Sequence, residues 1–330
     1  MKYSVIIPVF NRPDECHELL DSLCTQGVKD FEVIVVDDGS TTPCRDVCQA
    51  FDGILDIHYY NKENSGPGGT RNYAAERASG EWLIILDSDV ILPADYLQEV
   101  DTALAATPLD AFGGPDSAHP SFTTTQKAIN YAMTSFFTTG GIRGGKKKMD
   151  RFFPRSFNMG VRRECYLRLG GFADMRFGED VDFSMRIVEA GLRCRLIPEA
   201  WVWHKRRTDL VKFFRQVHNS GIARINLEER HPGSMKLVHT LPALAVIAGC
   251  MMLLGCAWIE WLATPMLLWA LLIMVDATRL SGSLKVGICA IAASVVQIAG
   301  YGTGFLSAAA QRHILRRRGD LQAFRKTFYK

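Results

Sequence analysis

The chain has 330 residues, 48% of them hydrophobic, with 38 Lys and Arg against 35 Asp and Glu and a net charge of +3. That length exceeds one small domain and allows a sizeable core. The near balance of charge gives no basic excess of the kind that holds nucleic acid, and the nine cysteines, at positions 16, 24, 44, 48, 165, 194, 250, 256 and 289, lack the spacing of a disulfide framework or a zinc site.

Residues 3–9 are β-rich and predict a first strand. Asn11 then stands as a candidate helix cap and Pro13 near a first helical turn, followed by Cys16, Leu19, Leu20 and Leu23 at helical spacing. The pattern continues with a strand at 31–36, a helix at 42–51, a strand at 57–60, a helix that includes 73–78, and a strand at 82–86. Strands alternating with helices imply right-handed crossovers and a mostly parallel α/β sheet. Cys44 and Cys48, four apart, suit the packed face of the second helix better than half of a zinc site. The chain starts without a charged-then-apolar signal region, and its cysteine usage suits a reducing compartment, so the soluble part is expected in the cytoplasm.

Each strand end carries polar groups. Pro8, Phe10 and Asn11 close the first strand, and Asp37, Asp38, Gly39 and Ser40 the second. Residues 64–72 (Asn-Ser-Gly-Pro-Gly-Gly-Thr-Arg-Asn) read as a glycine-rich loop entering the third helix, able to offer backbone donors and the bidentate cation of Arg71 to a diphosphate. After the fourth strand comes Asp87-Ser88-Asp89, two hard carboxylates at a strand end. Such a pair suits Mg²⁺ or Mn²⁺ and lies where open α/β sheets bind ligands. Each piece alone is also ordinary turn and cap chemistry, but four strand ends bearing such groups make turn chemistry a poor account of all of them.

Taken together, these segments resemble the family 2 glycosyltransferases, which have the GT-A fold. The resemblance rests on residues 5–12 (Val-Ile-Ile-Pro-Val-Phe-Asn-Arg), 35–40 (Val-Val-Asp-Asp-Gly-Ser), the 64–72 loop, Asp87-Ser88-Asp89 and residues 178–183 (Gly-Glu-Asp-Val-Asp-Phe), and it covers about the first 225 residues. It implies metal-dependent, inverting sugar transfer from a nucleotide-sugar, a UDP-sugar above all. By the same resemblance Pro8, Phe10, Asn11, Asp38, Gly68, Arg71, Asp87 and Ser88 would line the donor site. Asp38 would read the uracil edge, Arg71 would contact the nucleotide or diphosphate, and Asp89 would be the principal ligand of Mn²⁺ or Mg²⁺, with Asp87 beside it.

Inversion in one displacement needs a base on the face opposite the leaving group. Asp180, at the start of a helical segment with Val181, Phe183, Met185, Ile187 and Val188, suits that task, although acids at a helix start also serve as caps. Asn158, Gly160 and Glu179 resemble acceptor-side residues of the family, and His204 stands where many GT-A enzymes complete the metal site. The segment 138–149, with four glycines and three consecutive lysines, reads as a loop open to diphosphate or anionic lipid. The tryptophan-bearing motif by which processive synthases of the family grip a polymer is absent, since residues 215–221 read Arg-Gln-Val-His-Asn-Ser-Gly. Single-sugar transfer is the reading this favours.

From 237 to 310 charge nearly vanishes, with apolar stretches at about 238–259, 262–275 and 286–310. The expected division is a catalytic domain over 1–230, a transmembrane region over 237–310, and a basic tail over 311–330. Seven Lys or Arg against one Asp in residues 312–330 place that tail in the cytoplasm by the positive-inside rule. Two spans satisfy that rule and three is the plain hydropathy count, so both stand. The expected protein is a multi-pass cell-membrane enzyme acting on a lipid-linked or membrane-proximal acceptor. The alternative is a sugar-nucleotide-binding membrane partner without turnover.

Overall fold

The computed structural model describes residues 1–117, 119, 121–139, 152–321 and 323, so most of the lysine-bearing segment 138–149 lies outside the described residues. The first half of the chain runs β1 (Tyr3–Val9), α1 (Pro13–Cys24), β2 (Phe31–Asp37), α2 (Arg45–Gln49), β3 (Ile57–Asn61), α3 (Gly66–Arg77), β4 (Trp82–Leu86), β5 (Val90–Ile91), α4 (Tyr96–Ala106), β6 (Ala111–Gly113) and β7 (Asp116–Ser117). Next come α5 (Thr124–Thr134), α6 (Phe136–Thr139), β8 (Asn158–Arg162), α7 (Arg163–Arg168), α8 (Glu179–Glu189), β9 (Cys194–Leu196) and β10 (Val202–His204). Four long helices complete it: α9 (Leu210–Arg230), α10 (Leu241–Gly255), α11 (Thr264–Ser281) and α12 (Leu284–Ala309). Two compact units result, Met1–His119 with Lys148–Lys205, and Pro120–Lys147 with Arg206–Lys330.

The first unit is an α/β sandwich on a seven-stranded sheet of order β3-β2-β1-β4-β8-β6-β9. Four strands, β3 to β4 in that order, are parallel, and β8 runs antiparallel to both β4 and β6. Strand alternation divides the apolar side chains between two layers. Val5, Ile7, Val33, Val35 and Ile84 pack with Leu19, Leu20, Leu23 and Leu97, while Ile6, Ile34, Leu83 and Ile85 pack with Ala74, Ala75, Phe183 and Ile187. Burial on both faces is why these strands read as continuous apolar runs. The parallel register sets the ends of β1, β2 and β4 along one edge, and the antiparallel pair of β10 with β5 opposes His204 to Val90.

Three local expectations change. Asn11 does not cap α1: it takes the left-handed conformation at φ 54°, and its Oδ1 accepts from the backbone N of Thr41 (2.8 Å) and Thr42 (3.1 Å). The second helix shrinks to Arg45–Gln49 because the carboxylate of Asp37 accepts from Ser40 N (2.8 Å) and Cys44 N (3.1 Å), holding the preceding residues in a turn. Residues 66–72 of the glycine-rich segment are the first two turns of α3 and not a loop. The glycine at 68 permits close packing there, since a Cβ would stand 3.3 Å from side-chain carbons of both Glu179 and Phe172. Cys44 and Cys48 are buried in the core with Cys16, and all nine cysteines are free.

The second unit is helical. Three of its segments, Leu237–Gly255, Glu260–Ser281 and Leu284–Ile314, are long and apolar enough to cross a membrane. One buried cluster joins Ala128, Ile129 and Ala132 of α5 with Phe213, Val217, Ile273, Ala290 and Ala293, and a second joins Ile222, Ile225, Ala243, Phe305 and Ala308. Tyr131 donates to Asp276 at 2.7 Å.

In the first unit a Cβ on Gly160 would fall 2.0 Å from the ring of fully buried Phe112. Gly160→Ala should therefore lower the stability of the purified protein by about 1–3 kcal/mol, the usual cost of overpacking a core. An unchanged midpoint in chemical denaturation would show that the Phe112 ring moves aside freely.

Candidate active site

The carboxylate of Asp38, one residue past β2, is buried and takes three donors: Lys62 Nζ (2.6 Å) and Ser65 N (2.9 Å) on Oδ1, and Gly66 N (2.9 Å) on Oδ2. It satisfies orphan backbone donors at the start of α3 from outside that helix. Asn64 Nδ2 adds a bond to the Asp38 carbonyl at 2.8 Å. Asp38 thus ties the end of β2 to the head of α3.

One turn into α3, Arg71 is 3% exposed at its side chain and bridges two acids. Its Nη2 donates to Asp87 Oδ1 (2.6 Å) and its Nη1 to Glu179 Oε1 (3.1 Å), while its guanidinium lies 5.2 Å from the centroid of the Phe172 ring. A buried guanidinium needs opposite charge on more than one side, and the ends of β4 and the start of α8 supply it. Ser88, between the two aspartates, is buried.

Asp87, Asp89 and His204 form the group among the described residues able to hold a metal ion, with one ligand atom from each inside 4.8 Å of the others. His204 Nε2 is 3.3 Å from Asp89 Oδ1 and its Nδ1 is 3.5 Å from Asp116 Oδ2. A carboxylate behind the second ring nitrogen orients a ligating imidazole, and Phe157 stacks on the same ring at 4.8 Å between centroids. Arg12 is ion-paired with Asp89. Two carboxylates and a braced imidazole fit a divalent cation such as Mn²⁺ or Mg²⁺.

Glu179 and Asp180 open α8 after Gly178, which holds a left-handed φ of 84°. Asp180 Oδ2 accepts from Arg155 Nε at 2.6 Å and its Oδ1 from Val181 N at 2.8 Å. Burial pushes both acids up. For Asp180 the guanidinium of Arg155, aided by Arg71, outweighs burial and holds its carboxyl below the usual range. Glu179 has the charge of Asp180 added to its desolvation and rises to about 7 despite Arg71. Two adjacent acids are thereby driven apart, Asp180 remaining ionised where Glu179 titrates.

Most of the residues singled out in the sequence meet here, but two do not. Asn158 is fully buried, its Oδ1 accepting from Tyr96 OH (2.6 Å) and its Nδ2 donating to the Ala200 carbonyl (2.8 Å). Its amide is used up inside the protein, and Gly160 faces Phe112, so neither presents a polar group to an acceptor. Pro8 and Phe10 are half-buried and Asn11 is exposed at the same edge as Asp38. Arg155, Asp116 and Lys62 were not legible, because each acts through a partner distant in the chain. Only the approach of a cation to each acid could have pointed to Arg155 and Lys62, and sequence gives no such distance.

Comparison with protein families matches residues 4–169, half of the chain, to Glycosyl transferase family 2. Validoxylamine A glucosyltransferase of Streptomyces hygroscopicus subsp. jinggangensis is 28% identical over 228 residues, 60% of this chain and 54% of that protein. Poly(ribitol-phosphate) beta-N-acetylglucosaminyltransferase TarS of Staphylococcus aureus is 36% identical over 103 residues, 30% of this chain and 18% of its own length. The chain thus spans less than two thirds of these relatives. A solved structure of mannosyltransferase PcManGT from Pyrobaculum calidifontis, in complex with GDP-Man and Mn2+, shares the fold with a TM-score of 0.64 at 19% identity, covering 88% of this chain and 86% of that one.

The raised carboxyl of Glu179 has a pH signature. A group whose folded pKa lies above its unfolded value contributes stability below the unfolded pKa and loses it as pH rises through the folded one, here between the ordinary glutamate value of 4.5 and about 7. Glu179→Gln does not titrate, so its stability relative to the parent should rise from pH 5 to pH 8. A difference that is flat over this range in thermal unfolding would show that Glu179 titrates normally.

Proposed function

Since the chain belongs to glycosyl transferase family 2, we propose that it moves one sugar, with inversion at the anomeric carbon, from a nucleotide-sugar donor to a lipid-linked or membrane-proximal acceptor. The observation that carries this reading is the linked set Asp87–Arg71–Glu179 beside Asp180, standing next to Asp87, Asp89 and His204. A binding protein without turnover has no need of a cation site and an ionised base together. The family membership and the names of the relatives support hexosyl transfer.

In this reading the donor lies along the edge formed by the ends of β1, β2 and β4. Pro8, Phe10, Asn11 and Asp38 face the nucleoside, a uridine, and Arg71 and Gly68 at the head of α3 face the diphosphate. Asp87, Asp89 and His204 hold a divalent cation, which when bound neutralises charge growing on the departing diphosphate. Asp180 takes the proton of the acceptor hydroxyl. Its depressed pKa keeps it ionised at neutral pH, and Arg155 holds the carboxylate in one orientation until the acceptor engages it. Glu179 meets the acceptor side of the sugar in this reading. The apolar helices after residue 237 hold the enzyme at the cell membrane with its catalytic part in the cytoplasm, where nucleotide-sugars and a membrane-borne acceptor meet.

Two substitutions separate binding from chemistry. Asp180→Asn should keep nucleotide binding yet lose transfer by at least about 10²-fold, the scale of general base catalysis. Equal losses of affinity and rate would make Asp180 a structural cap. Asp89→Ala should abolish transfer and weaken metal-dependent binding of UDP, measured by calorimetry with Mn²⁺ and with EDTA. Full activity of that variant in EDTA would refute the metal role. In a panel of UDP-sugars and one GDP-sugar, a UDP-sugar should give the highest turnover, whereas preference for the GDP-sugar would refute the uridine assignment.

A further inference from the structure

Hydropathy gives three candidate spans, yet the surroundings of the third are unlike those of the other two. Along its C-terminal half α12 lies backbone to backbone against α9: a Cβ at Gly304 would fall 2.0 Å from the carbonyl oxygen of His218, and one at Gly221 would fall 2.2 Å from that of Tyr301. The helices run in parallel, Val217 meeting Gly300 and His218 meeting Gly304, and a polar contact of 3.1 Å joins His218 Nδ1 to Thr303 Oγ1. The partner helix carries Lys212, Arg215, Asn219, Arg224 and Asn226, a content that hydrocarbon does not dissolve. Whatever shields α12 on this side is not lipid.

The chain beyond α12 then folds back onto α9. Arg312 donates to the carbonyls of Arg317 (2.8 Å) and Gly319 (2.7 Å), and its Nη2 lies 2.7 Å from Glu229 Oε2. Asn226 clasps Leu321 through both amide ends, Nδ2 to its carbonyl at 2.8 Å and Oδ1 from its N at 3.1 Å. Arg230 pairs with Asp320 at 2.9 Å. Segments bonded to one another lie on one face of a bilayer.

Resting on the membrane attachment proposed above, we infer that Arg312 pins the C-terminal segment to α9, so that the chain crosses the membrane an even number of times between Arg230 and Arg312. α12, the most buried of the three, then packs along α9 and is not a crossing helix, and the crossings fall to α10 and α11. These two expose Leu244, Leu253, Leu254, Leu267, Leu268 and Leu271. The connection between them carries Trp258 and Trp261, 82% and 70% exposed, residues suited to a membrane interface. This places the basic segment on the side from which α9 departs, as its charge demands.

The test uses the full chain with a reporter fused before Met1 or after Lys330, both read in the same cells after an alkaline carbonate wash of the membranes. The inference expects retention in the membrane and both reporters on the cytoplasmic face. Retention with the reporters on opposite faces would overturn the even crossing alone. Release of the whole protein by carbonate would overturn the attachment itself, and with it the lipid role of α10 and α11. A second measurement bears on the pin: Arg312→Ala should speed amide hydrogen exchange in residues 319–321 by about tenfold or more, the effect of losing hydrogen bonds to a charged group. Exchange in that segment as slow as in the parent would remove Arg312 from its place as the pin.

Discussion

The candidate site depends on one buried guanidinium. Arg71 sits in the second turn of α3 and is balanced by Asp87 from the sheet edge and Glu179 from the start of α8. A charge taken out of water must be met by opposite charge and by hydrogen bonds, and breaking such a pair by removing one partner costs on the order of 3–5 kcal/mol. Three elements far apart in sequence are thereby held at one place. α3 approaches closely enough that a Cβ at position 68 would crowd Glu179 and Phe172, and Asp38 fixes the head of the same helix. The same guanidinium also separates the two acids of α8, since Arg71 is taken up by Glu179 and Asp180 turns to Arg155.

Much of this is legible in the sequence, and what is legible shares a physical basis. The strands at 3–9 and 82–86 showed themselves as short apolar runs because each is buried on both faces, and Asp87-Ser88-Asp89 stood out because acids directly after such a run have left the core. Local chemistry misled where a side chain acts on distant backbone. The reach of Asn11 to Thr41 and of Asp37 to Cys44 cannot be seen in spacing, which predicts a cap where a cross-loop brace stands and a second helix longer than the one formed. The glycines of 64–72 resembled a loop because composition records glycine's freedom and not the crowding that selects it. Asn158 is the same lesson in reverse: the resemblance to acceptor-side residues of the family implies a ligand contact, whereas its amide is bonded to Tyr96 and the Ala200 carbonyl.

The second unit shows how far hydropathy carries. Three segments pass a test of length and apolarity, but apolarity does not distinguish a helix facing lipid from one packed inside protein. The difference lies in Gly300 and Gly304 of α12, which meet Val217 and His218 on α9. Composition of the last stretch alone, rich in Gly and Ala, was compatible with either.

Arg155 and Phe157 are separated by a single residue. One holds the carboxylate of Asp180 and the other lies flat on the imidazole of His204. The acid proposed to accept the proton and the imidazole proposed to hold the cation are therefore braced by the same short piece of backbone. A backbone displacement of residues 155–157 would therefore reach both surroundings at once.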